Sequence, residues 1–581
     1  MRSSTPIAAF ALALLQGTTT ALNQGIHRNL ALMADMGLNP DGTPFHTPSS
    51  SSSSSAHLSS LRIGTTSPLP LAINTTEIIT PEYVELPVNH FSKMGPAGSA
   101  GPSTFHNRFW VSERAYRPGG PVFIYDVGEA NAEGNALFRL QNETSFFRQI
   151  VEQFGGIGVV WEHRFYGNST PVPIDLDTPA EAFKYLTTEQ SLADVDTFAR
   201  QFKRKNINAT LTPESTPFIF IGGSYPAMRA AFMREKYPDT IYASYASSAP
   251  VQASVDMSFY FDPVVRGLEH YGFGNCSADI KAAIKYMDKV MDGSRSGAAD
   301  LKTRFLGKGA DANSHATFAD ALTTPFYLWQ SYGVEGGQLG LRRFCDFIET
   351  DPASNTTAPA EGWAKPKGAK FTVDRWASMP WFAGMVNAYM ETDCSGKANV
   401  TGDCDLNRRF TDPASISWTW QYCTQWGFFQ SANLGPNQVV SKYNSLTHQR
   451  DICHRQFPNA TRSLLPEWPN TARTNAVLGG WNIRPSNTYW SGGEFDPWRT
   501  LSPLSAEIFA PKVHEFTEPP KCGQGQRRQD IFGYVMADAQ HCYDFRTTFA
   551  GGAVSRGYFT RALTGWLGCF TSKGKGRRWD A

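Results

Sequence analysis

Four short runs are almost uninterrupted in apolar or aromatic residues: PVFIYDVG (Pro121 to Gly128), GIGVVWEHR (Gly156 to Arg164), PFIFIGG (Pro217 to Gly223) and IYASYASSAPV (Ile241 to Val251). A strand with one wet face alternates apolar and polar residues; runs like these fit central strands of a parallel sheet covered on both sides. Between two of them, TTEQSLADVDTFARQFKRK (Thr187 to Lys205) carries apolar residues at helical spacing and ends in a basic turn, as a helix C-terminus prefers. Strand alternating with helix predicts an α/β fold. Strand character returns at SNTYWSGG (Ser486 to Gly493) and IFGYVMADAQ (Ile531 to Gln540), followed by a helix-like RGYFTRALTGWLGCF (Arg556 to Phe570). The expected sheet domain is therefore split, over 75–261 and 471–571. Residues 262–470 between its parts hold helix-like pieces such as Ser277 to Met291 and few clean strands, and read as an inserted, mainly helical cap.

The ends of the 581-residue chain read differently. Residues 1–21 have one Arg, an apolar stretch from Pro6 to Leu15 and small polar residues to Ala21, the pattern of a secretory signal peptide. That stretch is far short of the roughly 18–20 residues that span a bilayer, and no later segment qualifies, so no integral membrane segment is expected. Residues 22–74, with seven consecutive serines, read as a flexible leader, and 572–581 as a basic tail. Asn-x-Ser/Thr acceptors at Asn74, Asn142, Asn168, Asn208, Asn275, Asn355, Asn399 and Asn459 predict a glycosylated surface. All nine Cys lie from Cys276 onward with no CxxC pair, which argues for disulfides over a metal cluster; Cys394 and Cys404, bracketing a short polar loop, are the expected local bridge. Together these features predict a secreted or a vacuolar/lysosomal protein. With 53 Lys plus Arg against 52 Asp plus Glu, nucleic acid is a poor partner, and no metal or other cofactor is expected.

In PFIFIGGSYPAMRAAFMREKYPD, Ser224 lies between an apolar strand and a segment with apolar residues at helical spacing. Strand, Gly-x-Ser, helix is the setting of a nucleophile elbow, where a tight turn lifts the hydroxyl above the sheet edge. The helix N-terminus there favours developing negative charge, and the Tyr225 N–H is the expected first oxyanion donor. The second residue after the serine is Pro226 where the motif has Gly; proline is tolerated in a first helical turn. A rival Gly-x-Ser at Gly167 to Ser169 is followed by Thr170-Pro171 and opens a loop.

A hydrolase triad of this kind runs Ser, acid, His along the chain. His448, His454, His514 and His541 follow Ser224 by more than a hundred residues; His541 comes directly after a strand-like run, whereas His514 sits within one. Asp496, just past YWSGG, is the expected acid, with Asp538 and Asp544 as rivals crowded beside His541. In this reading His541 takes the Ser224 proton and returns it to the leaving amine, while Asp496 fixes the imidazole tautomer.

The segments EHRFYG (Glu162 to Gly167), YLTTEQSLAD (Tyr185 to Asp194), GGSY (Gly222 to Tyr225), WQYCTQWGFFQ (Trp420 to Gln430), GGEFDPW (Gly492 to Trp498) and QHCYDF (Gln540 to Phe545) follow in one order over most of the chain after residue 80. In them the chain resembles the serine peptidase family of prolyl carboxypeptidase, dipeptidyl peptidase II and thymus-specific serine protease. The resemblance implies an α/β-hydrolase sheet domain with a helical cap between Ser and Asp, and cleavage of peptide or protein substrates after proline. It places Ser224, Asp496 and His541 on the triad and Met228 and Trp498 on the proline pocket, and it sets the turn at Gly128 and Glu129 against the family's second oxyanion donor. It departs at Gln425, where relatives often carry Glu, and at Pro226-Ala227. Carboxypeptidase and dipeptidyl peptidase modes stay open at this point, as does a homodimer. An esterase or lipase on the same fold and a catalytically impaired binding homologue are the alternatives.

Overall fold

The computed structural model describes residues 30–40, 43–45, 78–91, 103–397, 400 and 402–570. At its centre is a nine-stranded sheet in the order β1-β2-β4-β3-β5-β6-β9-β11-β10. The strands are β1 (Glu82–Pro87), β2 (Thr104–Ser112), β3 (Val122–Asp126), β4 (Ile157–Trp161), β5 (Phe218–Gly223), β6 (Ala243–Ser247), β9 (Thr488–Gly493), β10 (His514–Phe516) and β11 (Asp530–Met536). Pairing is parallel from β4 through to β10, and only β2 runs against its two neighbours.

The continuous apolar runs are explained by two cores, one on each face. Val122 and Ile124 of β3 and Phe218 and Phe220 of β5 point into one, beside Leu192, Val195 and Phe198 of the helix Thr188–Gln201. Phe123, Tyr125, Ile219 and Ile221, the alternate positions, point into the other, beside Phe559 and Leu563 of the helix Ala550–Leu567. At about 1.5–3 kcal/mol for each large side chain removed from water, both faces contribute to holding the strand ends still.

Between β6 and β9 the chain is mainly helical, with the helices Asp262–His270, Gly274–Asp292, Arg295–Leu306, Leu341–Glu349, Phe382–Met390, Pro413–Gln421 and Leu446–Gln456 among others. A short parallel pair, β7 (Ser254–Asp256) with β8 (Gly427–Phe429), also lies in this stretch. The fold is an α/β-hydrolase sheet with a helical insert. Cys394–Cys404 is bridged, as are Cys276–Cys345, Cys423–Cys453 and Cys522–Cys569, pairings that sequence spacing could not supply; Cys542 is the free thiol. Among the described residues no helix is long and apolar enough to cross a membrane.

Two strands have no counterpart among the apolar runs, and two expectations need correction. β1 and β2 precede the first apolar run; each has at least one exposed position in its outer half, so neither carries the double-faced apolar pattern. The leader is not loose throughout: residues 30–35 are helical, with Leu30, Leu32, Met33 and Ala34 buried and Asp35 ion-paired to Arg139 at 2.5 Å. Tyr332 O–H lies 3.1 Å from both the Leu30 and Leu38 carbonyls, tying this arm to the insert. Finally, Asn142 is only 3% exposed, a burial that conflicts with a glycan on its side-chain nitrogen. Asn168, Asn208, Asn355 and Asn459 are exposed and Asn275 is half-buried. Asn74, Asn399, the signal peptide and the basic tail lie outside the described residues.

Candidate active site

β5 ends at Gly223 and the helix Tyr225–Lys236 starts two residues later, leaving Ser224 alone in the turn at φ 71° and ψ −130°. Such a conformation costs a non-glycine residue on the order of 1–3 kcal/mol and persists only where its surroundings over-determine it. Here they do. The Ser224 N–H donates to Ser247 O of β6 at 2.9 Å, and the Ser224 carbonyl accepts from Ala227 and Met228. A Cβ on Gly222 would stand 2.3 Å from the Pro226 carbonyl carbon, so this close approach requires glycine. Pro226 occupies the first helical turn, where its missing N–H removes no intrahelical bond.

The Tyr225 side chain is anchored in the core. His163 Nδ1 must donate to the Arg164 carbonyl at 2.6 Å, since a carbonyl only accepts, so His163 Nε2 accepts from Tyr225 O–H at 3.1 Å. Burial, followed by the charge of Arg229, pushes the His163 pKa well down, consistent with this neutral ring. The Tyr225 hydroxyl also accepts from Gln421 at 2.9 Å, and Gln421 in turn accepts from Tyr166 at 2.5 Å. Arg164 makes a two-pronged pair with Asp194, both bonds at 2.6 Å. Gln425 accepts from the Thr188 N–H at 3.0 Å and donates to Glu189. Four of the segments noticed in the sequence thus interlock beneath the serine, holding the residue whose N–H sits at the helix N-terminus.

Asp496 follows β9 and His541 follows β11, adjacent strands whose ends bring the two together. His541 Nδ1 lies 2.9 and 3.0 Å from the two Asp496 oxygens, and Asp496 Oδ1 also accepts from the Trp498 N–H. A carboxylate only accepts here, so the proton is on Nδ1 and the lone pair on Nε2. Burial disfavours the charged ring, but the Asp496 carboxylate outweighs it and raises the His541 pKa above its ordinary value. His541 Nε2 is buried without a hydrogen-bond partner among the described residues, and His541 lines one cavity of about 160 Å³ with Ser224. No hydrogen bond joins Ser224 Oγ to Nε2 in this structure; such bonds often tighten only with substrate bound.

The same cavity is lined by Met228 and Trp498, and by Glu129, Asp320, Arg408 and Arg455. It is over ten times the roughly 10–15 Å³ that one water needs, enough for peptide residues. The rivals are elsewhere. Asp538 pairs with His270 at 2.7 Å; Asp544 accepts from Tyr245 and Ser247 at 2.6 and 2.5 Å and from Ser491, pinning the loop after His541 to β6 and β9. Ser169 donates to buried Glu162. Gly128 is a correction: its N–H already donates to Asp126 Oδ1 at 3.1 Å, so it is not directed at an oxyanion. Among the described residues no cluster could hold a metal ion.

Sequence reading missed the insert's share. Trp329 Nε1 donates to the carbonyl of Phe495, the neighbour of Asp496, and the Gln330 carbonyl accepts from the His541 N–H at 3.1 Å. The helix Trp329–Tyr332 therefore fastens both loops. No local pattern signals this, because the partners are more than 160 residues away.

A strained serine in an elbow and a coupled His–Asp pair, at the ends of parallel strands of one sheet under a helical insert, define an α/β-hydrolase. Residues 97–509 match the profile of the serine carboxypeptidase S28 family, and the chain belongs to that family. It is 27% identical over 438 residues to an Arthroderma benhamiae protein named a probable extracellular serine carboxypeptidase, covering 72% of this chain and 58% of that one. The human thymus-specific serine protease is 26% identical over 69% of this chain and 74% of its own length. Mouse lysosomal Pro-X carboxypeptidase is 26% identical over 72% and 78%.

Proposed function

We propose that this chain is an exported, glycosylated serine peptidase that cleaves peptides on the carboxyl side of proline and trims them from the carboxyl end. The observation that carries the reading is the meeting of Ser224 and the His541–Asp496 pair in one cavity with Met228 and Trp498. Ser224 Oγ attacks the prolyl carbonyl while its proton passes to His541 Nε2. The Tyr225 N–H stabilises the oxyanion, and the imidazolium, favoured by Asp496, gives its proton to the leaving amine. Water, deprotonated by the same ring, then releases the acyl group. A thioether and an indole suit a pyrrolidine ring, which has no N–H to satisfy.

Carboxyl-end trimming is favoured by Arg455, which lines the cavity, donates to Asn407 Oδ1 at 2.7 Å and has no carboxylate within ion-pair distance among the described residues. Four disulfides, exposed glycan acceptors and relatives named extracellular or lysosomal support a secreted or vacuolar/lysosomal location.

Labelling by an organophosphonate, lost in Ser224→Ala, tests the nucleophile, with turnover of wild type reduced by about 10⁴-fold or more in the variant. Mass spectrometry of a proline-containing peptide offered with free, amidated or acetylated ends reads the mode. Loss on amidation is the expected result. Loss on acetylation instead would move the reading to a dipeptidyl mode, with Glu129 or Asp320 receiving the amine, and turnover of acyl esters alone would move it to an esterase.

A further inference from the structure

One wall of the cavity presents an amide whose two ends are treated differently. Gln330, 9% exposed in the helix Trp329–Tyr332, lines the cavity with Ser224, Trp498 and His541. Its side-chain oxygen faces Trp498 Nε1 at 2.9 Å and Tyr260 O–H at 3.0 Å. An indole N–H can only donate, so the atom facing it must be the amide oxygen, and the orientation of the amide is settled without reference to the hydroxyl. The opposite end, Nε2, has no acceptor among the described residues. A donor with no protein acceptor, on a side chain that lines the cavity, is free to bond a ligand that brings the acceptor.

The ligand class follows from the peptide chemistry, and this step rests on the reading that Trp498 encloses a prolyl ring. A prolyl residue offers no N–H, so its own main chain can be gripped only at its carbonyl oxygen. What such a site needs is a donor. Gln330 supplies one, and the hydrogen bond that its oxygen accepts from Trp498 couples the donor to the ring that would pack on the proline.

We propose that Gln330 is a substrate-binding residue: its Nε2 donates a hydrogen bond to a main-chain carbonyl of the bound peptide, beside the prolyl ring held by Trp498. The bond is noncovalent and leaves the proton inventory of Ser224 and His541 unchanged.

Gln330→Glu separates this role from a scaffolding one, because a carboxylate of the same shape still accepts from Trp498 and Tyr260 but cannot donate. The full-length chain and two variants, Gln330→Glu and the uncharged Gln330→Met, are compared on a proline-containing peptide and on a small dialkyl fluorophosphate that has no peptide carbonyl. The expected result is a 10- to 100-fold fall in kcat/KM for the peptide in both variants, with fluorophosphate labelling within a factor of about three of wild type. Equal losses on both reagents would overturn the proposal in favour of a scaffolding role, and so would unchanged peptide kinetics. Wild type that labels but turns over no proline-containing peptide would instead sink the peptidase reading, and this proposal with it.

Discussion

The two sides of the cavity are built by different means. On the sheet side, Ser224, Asp496 and His541 each stand within a few residues of a parallel strand end, and neighbouring strands set their spacing. On the insert side, Gln330, Asp320 and Arg455 come from separate helical pieces whose relation to the serine is a matter of long-range packing. The comparison teaches that chemistry is placed by strand register, whereas selectivity is placed by the docking of the insert. The two sides meet at the acid and histidine loops, through Trp329 to Phe495, Gln330 to His541 and Trp498, and Arg546 to the Ser331 carbonyl, and again beneath the serine, through Gln421 to Tyr225 and Gln425 to Thr188.

That contrast can be pressed from both sides. The largest effect is expected on the sheet side, where Asp496→Asn keeps the shape but no longer holds the imidazole in its working tautomer. A kcat loss of about 10⁴-fold, with the fold unchanged by circular dichroism, is expected. On the insert side, Arg455→Gln is expected to cut kcat/KM about tenfold for a peptide with a free carboxylate and to leave its amide unaffected. Equal loss on both would show that the arginine supports structure and not substrate. At the join, Trp329→Phe removes the indole N–H from the Phe495 carbonyl while keeping an aromatic ring. A several-fold fall in kcat with little change in KM would show that the insert steadies the Asp loop.

The smallest effect on activity, and a clear one on stability, is expected deep in the insert. Burial, then the neighbouring Asp279 carboxylate, pushes Glu349 up to about 9. Both Asp279 oxygens already accept main-chain N–H groups, from Ala364 and Trp363. A folded pKa above the unfolded one means stabilisation that is complete below the ordinary pKa of 4.5 and lost as pH rises toward about 9. Thermal midpoints of wild type should therefore fall across that window, and Glu349→Gln should flatten the slope. An unchanged slope would place the pH sensitivity elsewhere.

Much of the sheet side was legible because its signals are local. The alternation of Val122, Phe123, Ile124 and Tyr125 between two cores produces the continuous apolar run that marked β3. Gly222 is required by contact with a residue four positions on, so the elbow is written in one short segment. Position favours Asp496 over Asp538 and Asp544, which crowd the loop of His541, but what those two do instead, bonding His270 and Tyr245 and Ser247, is a long-range fact. The misplaced oxyanion donor has a similar cause, since whether Gly128 N–H is free depends on where the Asp126 side chain turns. Burial of the arm at 30–35 depends on Arg139, about a hundred residues away.

By itself, then, the sequence determined the strand runs, the elbow at Ser224 and the order of serine, acid and histidine, because each rests on contacts between residues close along the chain. Only the tertiary structure decided which histidine and aspartate are coupled, which oxygen and nitrogen of Gln330 face which way, and that part of the leader packs on the insert. Those outcomes depend on which distant side chain reaches a buried donor or acceptor first, and no local pattern records that.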